Sequence, residues 1–423
     1  MNSSHAQERI QIDSLGGLKN AELPLSKINL LIGPQASGKS LAAKLIYFCK
    51  SYPKEMINGV FEGVTLQRLH EKLTSRLSDY FGAAMSAGPF EVCYHNGDEY
   101  LRITRARGRA AKTEIEVSPF FKGEYSSMRR TYGKQAAKIE DSAADEGVDL
   151  TIRLQIRYYE KLAGHFSGRW GVQQIFVPAG RSYFSFLHGS IFSLLSNNIP
   201  LDPFVREFGS SYERYKNYAF RDVPKNAKSI ALADTSSILK GRYERDRGED
   251  FIRTLDDRRV PVSSSSSGQQ EVLPLLVMLH YFMRMRTPLG GRSVYVEEPE
   301  AHLFPDTQKQ LVELLVHAVR SGRPSSQAVL TTHSPYVCAA INNLILAGDV
   351  VAAGGTVQGI TANEANILFE DISALSLVDG KARSIMDSEA RLIDTRYLDS
   401  ISEEFVHQRE ALGDALEVAQ NGP

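Results

Sequence analysis

The chain has 423 residues, 42% of them hydrophobic and 23% charged, with a formal net charge of −1. It is long and apolar enough to bury one large core or two modest ones, which excludes a disordered chain, and its near-neutral balance means that contact with nucleic acid needs a local basic patch. Cys49, Cys93 and Cys338 are odd in number, widely spaced and set among apolar residues, so they read as buried thiols and not as a disulfide or zinc framework.

In chain order, Met1 to Gln11 is polar and lacks the charged-then-apolar layout of a signal peptide. The longest apolar stretch, Val272 to Met283, is too short to cross a bilayer, so a cytoplasmic protein without a membrane span is expected. Arg9 to Leu25 alternates, and Ile28 to Ile32 is an unbroken apolar run ended by glycine. Leu41, Leu45, Ile46 and Phe48 then recur at helical spacing, which gives the order strand, glycine loop, helix.

Residues 56–170 depart from this style and read as an insertion, with a hairpin over Phe90 to Val117 turning at Asn96-Gly97 and a helix over Asp149 to His165. Arg181 to Lys240 is mostly helical in pattern, and Phe251 to Val262 is extended around Asp256-Asp257. Val294 to Val296 and Ala328 to Thr331 are short strands ending in polar residues, as where a parallel sheet presents its carboxyl edge to a ligand. A polar C-terminal helix is expected over about Ser400 to Val418. The fold class is α/β, a mixed or parallel sheet flanked by helices with helical and hairpin insertions, divided as 1–55, 56–170, 171–375 and 376–423.

The chemistry begins at Gly33-Pro34-Gln35-Ala36-Ser37-Gly38-Lys39-Ser40, which fits the Walker A pattern between a strand and a helix. The backbone N–H groups of such a loop cradle phosphates and the helix dipole adds positive potential. Lys39 is expected on the β- and γ-phosphates of ATP and Ser40 on Mg²⁺, a hard cation that prefers oxygen. Val294-Tyr295-Val296-Glu297-Glu298-Pro299-Glu300 delivers adjacent carboxylates at a strand end. Glu297 is expected to hold Mg²⁺ through its water shell, and Glu298 to orient or deprotonate the attacking water.

The serine tract Ser263 to Gly268, followed by Gln269 and Gln270, would out of context be a flexible linker. Here it opens an apolar helix shortly before the acidic strand and resembles the signature sequence that ABC-type ATPases keep there; the resemblance implies that Ser267 and Gly268 contact a γ-phosphate held by a second copy in a head-to-tail dimer, with Gln269 a further nucleotide-binding candidate. His333, in Thr331-Thr332-His333-Ser334-Pro335, resembles the switch histidine of ABC-like enzymes, which implies that it reads the γ-phosphate through a hydrogen bond.

Taken together, Gly33 to Ser40, Ser266 to Glu271, Glu297 to Pro305 and Thr332 to Tyr336 resemble the OLD-like branch of the ABC ATPases, with RecF and SMC heads as more distant relatives. The resemblance implies an ABC-type P-loop ATPase head. Val177-Pro178-Ala179-Gly180-Arg181-Ser182 resembles a family segment that places an arginine, here Arg181, near the nucleotide; Gly180 departs from the usual acid. OLD proteins continue into a Toprim nuclease with a downstream Asp-x-Asp, and none follows His333.

Stand-alone ATPases of this kind occur in bacterial antiphage systems, AriA of PARIS being one example. The resemblance therefore implies a slow ATPase acting as sensor or scaffold for a separately encoded effector such as a nuclease, with a phage-encoded trigger. A RecF-like ATPase that clamps DNA in its ATP-bound dimer is the alternative. Arg102, Arg105, Arg107, Arg109 and Lys112, followed by Lys122, Arg129, Arg130, Lys134 and Lys138, form a basic arm for phosphates or an acidic protein, unless the acidic run Glu140 to Asp149 pairs with it.

Overall fold

The computed structural model describes residues 8–85, 88–108, 111–140, 144–166, 169–170, 173–186, 201–219, 235–284, 291–321, 325–358 and 367–421. Strands β1 (Arg9–Asp13), β2 (Ala21–Pro24) and β3 (Ile28–Ile32) lead into helices α1 (Lys39–Lys50), α2 (Tyr52–Phe61) and α3 (Leu66–Met85). Strands β4 (Phe90–Asn96), β5 (Glu99–Arg105) and β6 (Thr113–Val117) follow, then the long helices α4 (Pro119–Glu140) and α5 (Ala144–His165).

After β7 (Gln173–Val177) come α6 (Tyr183–Phe186), α7 (Pro203–Ala219) and α8 (Ser236–Leu239), and then the ribbon β8 (Gly241–Asp246), β9 (Glu249–Thr254) and β10 (Arg259–Pro261). The remainder alternates: α9 (Ser267–Arg284), β11 (Arg292–Glu297), α10 (Pro305–Arg320), β12 (Gln327–Thr332) and α11 (Pro335–Ala352). Strands β13 (Ile372–Val378) and β14 (Lys381–Ser384), the short pair β15 (Met386–Asp387) and β16 (Leu392–Ile393), and helix α12 (Arg396–Asn421) complete it.

Six strands form the central sheet in the order β14-β13-β3-β12-β11-β7. Strands β13, β3, β12, β11 and β7 run parallel, and only the edge strand β14 is antiparallel. A parallel sheet is covered on both faces, which is why these strands read as unbroken apolar runs. The two-residue period of a strand sorts them: Leu30, Val296, Leu330 and Val177 face the core that holds α9, α10 and α11. Leu31, Tyr295, Val329 and Phe176 face the core that holds α1, α2 and a second sheet.

That second sheet is antiparallel, in the order β2-β1-β4-β5-β6. The segment 56–170, read from sequence as an insertion, thus supplies three of its five strands and pairs directly with β1. Its hairpin turns at Gly97-Asp98, because Asn96 pairs with Glu99. The turn lies one residue beyond Asn96-Gly97, since glycine takes the positive φ, 65°, of the first loop position. The β8–β9 hairpin, with Arg247-Gly248 at its turn, has no counterpart in the sequence reading, in which the helical pattern ran to Lys240 and extended structure resumed only at Phe251.

A buried polar knot ties the layers together below α1. Lys50 Nζ donates to Glu8 at 2.6 Å and also to Gln327; Gln327 Nε2 donates to the other oxygen of Glu8 at 2.7 Å, and the Tyr94 hydroxyl to Glu8 at 2.5 Å. Glu8, Lys50, Tyr94 and Gln327 are all buried, so the full set of partners is what makes this charge tolerable. The three cysteines are free and buried, and burial pushes the Cys49 thiol up.

Helix α11 is, among the described residues, one helix long and apolar enough to cross a membrane, a stretch the sequence reading passed over. Val337, Ile341, Leu344 and Ile345 pack it into the core beside α10.

Candidate functional site

The P-loop forms because α1 begins in a backbone only glycine adopts readily: Gly38, its N-cap, has φ 96°. Ala36 also has positive φ, 59°. Lys39 is buried, and its ammonium donates to the carbonyls of Gly33 at 2.8 Å and Pro34 at 2.7 Å. Burial lowers its pKa, while the charges of Glu298 and Glu300 pull it back up, so the acidic loop after β11 faces this lysine. Pro34, Gln35 and Ala36 are exposed at the loop tip, and Ser40 is exposed on the first turn of α1.

Glu297 and Glu298 diverge as their alternation on a strand end demands. The Glu297 carboxylate is 6% exposed; one oxygen accepts from the Ala179 N–H at 3.2 Å, and the other is buried with no hydrogen-bond partner. Glu298 has a left-handed φ of 45°, uncommon for a residue with a side chain, and its N–H donates to Thr331 O at 2.9 Å. Its carboxylate stands 3.3 Å from His333 Nε2. Glu300, quoted in the motif but given no role, completes the group: one oxygen accepts from Thr332 Oγ1 at 2.7 Å and from the His333 N–H at 2.8 Å, and the other is buried without a partner. Lys39, Glu297, Glu298, Glu300 and His333 thus gather at the carboxyl ends of β3, β11 and β12.

Arg181 packs against the acidic loop. It is fully buried, and its guanidinium donates to backbone carbonyls: Nε to Glu271 at 3.2 Å, Nη1 to Pro178 at 3.2 Å and Glu297 at 2.7 Å, and Nη2 to Glu298 at 3.1 Å. Its own N–H donates to the Glu271 carboxylate at 2.9 Å. Burial lowers its pKa, and Glu271 leads the four carboxylates that oppose that. The side chain is a strut that fixes the acidic loop against the start of α9. Its partner Glu271, which closes the Ser266 to Glu271 motif and has no role from the sequence, also accepts from Ser182 Oγ at 2.8 Å.

At the start of α9 the serine tract is ordered by a capping box. The Gln269 N–H donates to Ser266 Oγ at 3.3 Å, and Gln269 Oε1 accepts from the Ser266 N–H at 3.2 Å. Gln269 Nε2 donates to Leu239 O at 3.1 Å, which ties this helix start to the end of α8. Gln270, unassigned from sequence, is buried and donates to the carbonyls of Val262, Ser263 and Ser265, which is what folds a serine run that would otherwise be a linker. A Cβ on Gly268 would meet His302 O at 2.7 Å, so glycine permits the close packing of this helix start on the acidic loop. Ser267 is exposed there. Among the described residues, no hydrogen bond joins Ser267 or Gly268 to the P-loop of the same chain.

Residues 202–338 match the family model described as AAA ATPase domain. Solved structures similar to the chain include an Smc head bound to the C-winged helix domain of ScpA (TM-score 0.40, 13% identity, 90% of this chain and 96% of that one). An SMC head domain from Thermotoga maritima (TM-score 0.37, 13%, 90% and 98%) is another. A third is an Smc head with an extended coiled coil bound to the C-terminal domain of ScpA, derived from Pyrococcus furiosus (TM-score 0.38, 13%, 94% and 99%). Likenesses this low carry no argument, and the assignment rests on the chain's own topology. With a P-loop between β3 and α1, acidic residues ending β11 on the far side of β12, a capped Ser-Gly helix start before them and a histidine after β12, the chain has the α/β fold of an ABC-type P-loop ATPase head, and residues 202–338 match an AAA ATPase domain.

Proposed function

We propose that the protein is a slow ATP-driven switch of the OLD-like kind: it binds ATP and Mg²⁺, closes head to tail on a second copy, and serves as sensor and scaffold for a separately encoded effector, probed first as a nuclease, in antiphage defence in the cytoplasm. The observation that carries the switch is the convergence of Lys39, Glu297, Glu298 and His333 at one sheet edge. The unpartnered buried oxygen of Glu297 and the exposed hydroxyl of Ser40 suit a hydrated hard cation on phosphate oxygens. Such a cation would supply neutralisation of the charge on the phosphates.

The chain's own residues do the rest. Lys39 exchanges two backbone carbonyls for phosphate oxygens, Glu298 accepts a proton from the attacking water, and His333, held by Glu298 and by its own N–H on Glu300, donates to the γ-phosphate. Ser267, exposed at a helix N-terminus beside the acidic loop, and the half-buried Gly268 meet the γ-phosphate bound by the other copy. ATP turnover lost in Lys39→Ala, with an effector co-purifying from the native operon, tests the whole reading.

The RecF-like reading rests on the basic arm, and pairing within the chain weakens it. Arg102 is bound to Glu91 at 3.2 Å and Glu116 at 3.4 Å, and Arg105 donates to Met85 O at 2.9 Å. Lys122, Arg129, Arg130 and Lys134 lie on α4, and Lys112 directly precedes β6. Arg109, and the side chains of Lys138 and of the acidic run 140–149, lie outside the described residues. Salt-sensitive duplex binding lost in Arg105→Ala/Arg107→Ala would favour the clamp.

A further inference from the structure

Away from the P-loop, a cleft of about 670 Å³ opens beside β7, at the far end of α1. Its floor is apolar, with Phe176, Phe208 and Met278 all buried. One wall is preorganised: Arg76 donates to Glu55 at 2.7 Å and to Glu207 at 3.0 Å, and Glu207 also accepts from the Tyr47 hydroxyl at 3.2 Å and from the Tyr80 hydroxyl.

Those two glutamates are the only acids among the described lining residues, and Arg76 already engages both. Lys54, Arg206 and Arg214 line the same cleft, exposed, and none of them forms an ion pair among the described residues. Three like charges around a low-dielectric floor repel one another and focus a positive field into the cavity. The volume is that of a small-ligand site, and Tyr159 and Tyr215 add aromatic edges for a planar group.

We propose that this cleft is a second site, distinct from the P-loop, for a nucleoside phosphate or a similar small organic anion, its phosphate met by Lys54, Arg206 and Arg214 and its ring by the aromatic wall. Binding stands apart from the switch reading. Its consequence for ATP rests on that reading: Tyr47 lies on α1 eight residues beyond Lys39, about 12 Å along one rigid helix. Occupancy of the cleft therefore bears on the helix that carries the P-loop.

The test uses full-length Lys39→Ala protein, so that the P-loop does not contribute, with fluorescent N-methylanthraniloyl GMP as the probe and unlabelled GMP as competitor. The expected result is saturable binding at one site per chain, weakened at least tenfold by Arg206→Glu/Arg214→Glu and retained within a few-fold by Arg206→Lys/Arg214→Lys. Both arginines are exposed, and matching thermal melts exclude misfolding. No saturable binding in the Lys39→Ala protein, or equal affinity after the charge reversal, overturns the proposal. Binding to wild type that vanishes with Lys39→Ala also overturns it and leaves the P-loop reading intact.

Discussion

His333 Nε2 lies 3.3 Å from the Glu298 carboxylate, and the same histidine's N–H is held at 2.8 Å by Glu300. One residue is thus clamped from both ends by the acidic loop, so a shift of that loop moves Glu298, the proposed base, and His333, the proposed switch, together. Glu298→Gln keeps the shape and removes the proton acceptor. Steady-state phosphate release should fall at least about 100-fold while ATP binding persists. Unchanged turnover would remove Glu298 from the mechanism. His333→Ala should lower turnover without altering the affinity of the lone chain for ADP, which lacks the γ-phosphate.

Arg181 tests a different link, from packing to site geometry. Arg181→Met leaves the Glu271 carboxylate buried without its cation and frees the carbonyls of Glu297 and Glu298. The expected cost is about 3–5 kcal/mol in a denaturant titration, with ATP turnover lost in the folded fraction. A nucleotide-contacting arginine would instead leave stability within about 1 kcal/mol and weaken ATP binding alone.

Gly268→Ala places a Cβ 2.7 Å from His302 O, so α9 must move off the acidic loop. Ser267→Arg adds bulk on the exposed side of the same turn. Both should leave ATP binding by the single chain intact and abolish ATP-dependent association, measured by sedimentation. Normal association of the Ser267→Arg protein would sink the assignment of this loop to the partner's nucleotide.

Acid should loosen the packing of α2 on α3. His70, whose Nε2 is 2.9 Å from the Tyr52 hydroxyl, is pushed down to about 4 by burial, with the Ile115 backbone opposing. The unfolded imidazole titrates at about 6.5, so between those values the unfolded chain binds the extra proton. Stability from this group is full above about pH 6.5 and is lost as the pH falls toward 4. Thermal melts across that window should show the decline, and His70→Asn should flatten it. An identical slope in both proteins would assign the decline to other groups.

The parts of the fold legible in the sequence are those with short-range causes. Ile28 to Lys39 announces strand, loop and helix because apolar run, glycine spacing and helical period lie within a dozen residues, and the acidic strand end is equally local. What stayed hidden depends on distant pairing. Whether Phe90 to Val117 forms its own module or joins β1 is decided by hydrogen bonds across about 80 residues of chain, which no local pattern records. The bonds from Gln270 and Gln269 that order the serine tract, and the partners that hold Arg181, Glu271 and the Glu297 carbonyl, are side-chain pairings that no apolar period records.

The central claim is that ATP holds two copies together through one P-loop and the other copy's Ser267-Gly268 turn. The most direct measurement is the solution mass, by light scattering, of Glu298→Gln protein with and without ATP and Mg²⁺, beside the same protein carrying Ser267→Arg. The account predicts a mass that rises with ATP and Mg²⁺ in the first and stays fixed in the second. A mass indifferent to nucleotide in both, with ATP demonstrably bound, would contradict it.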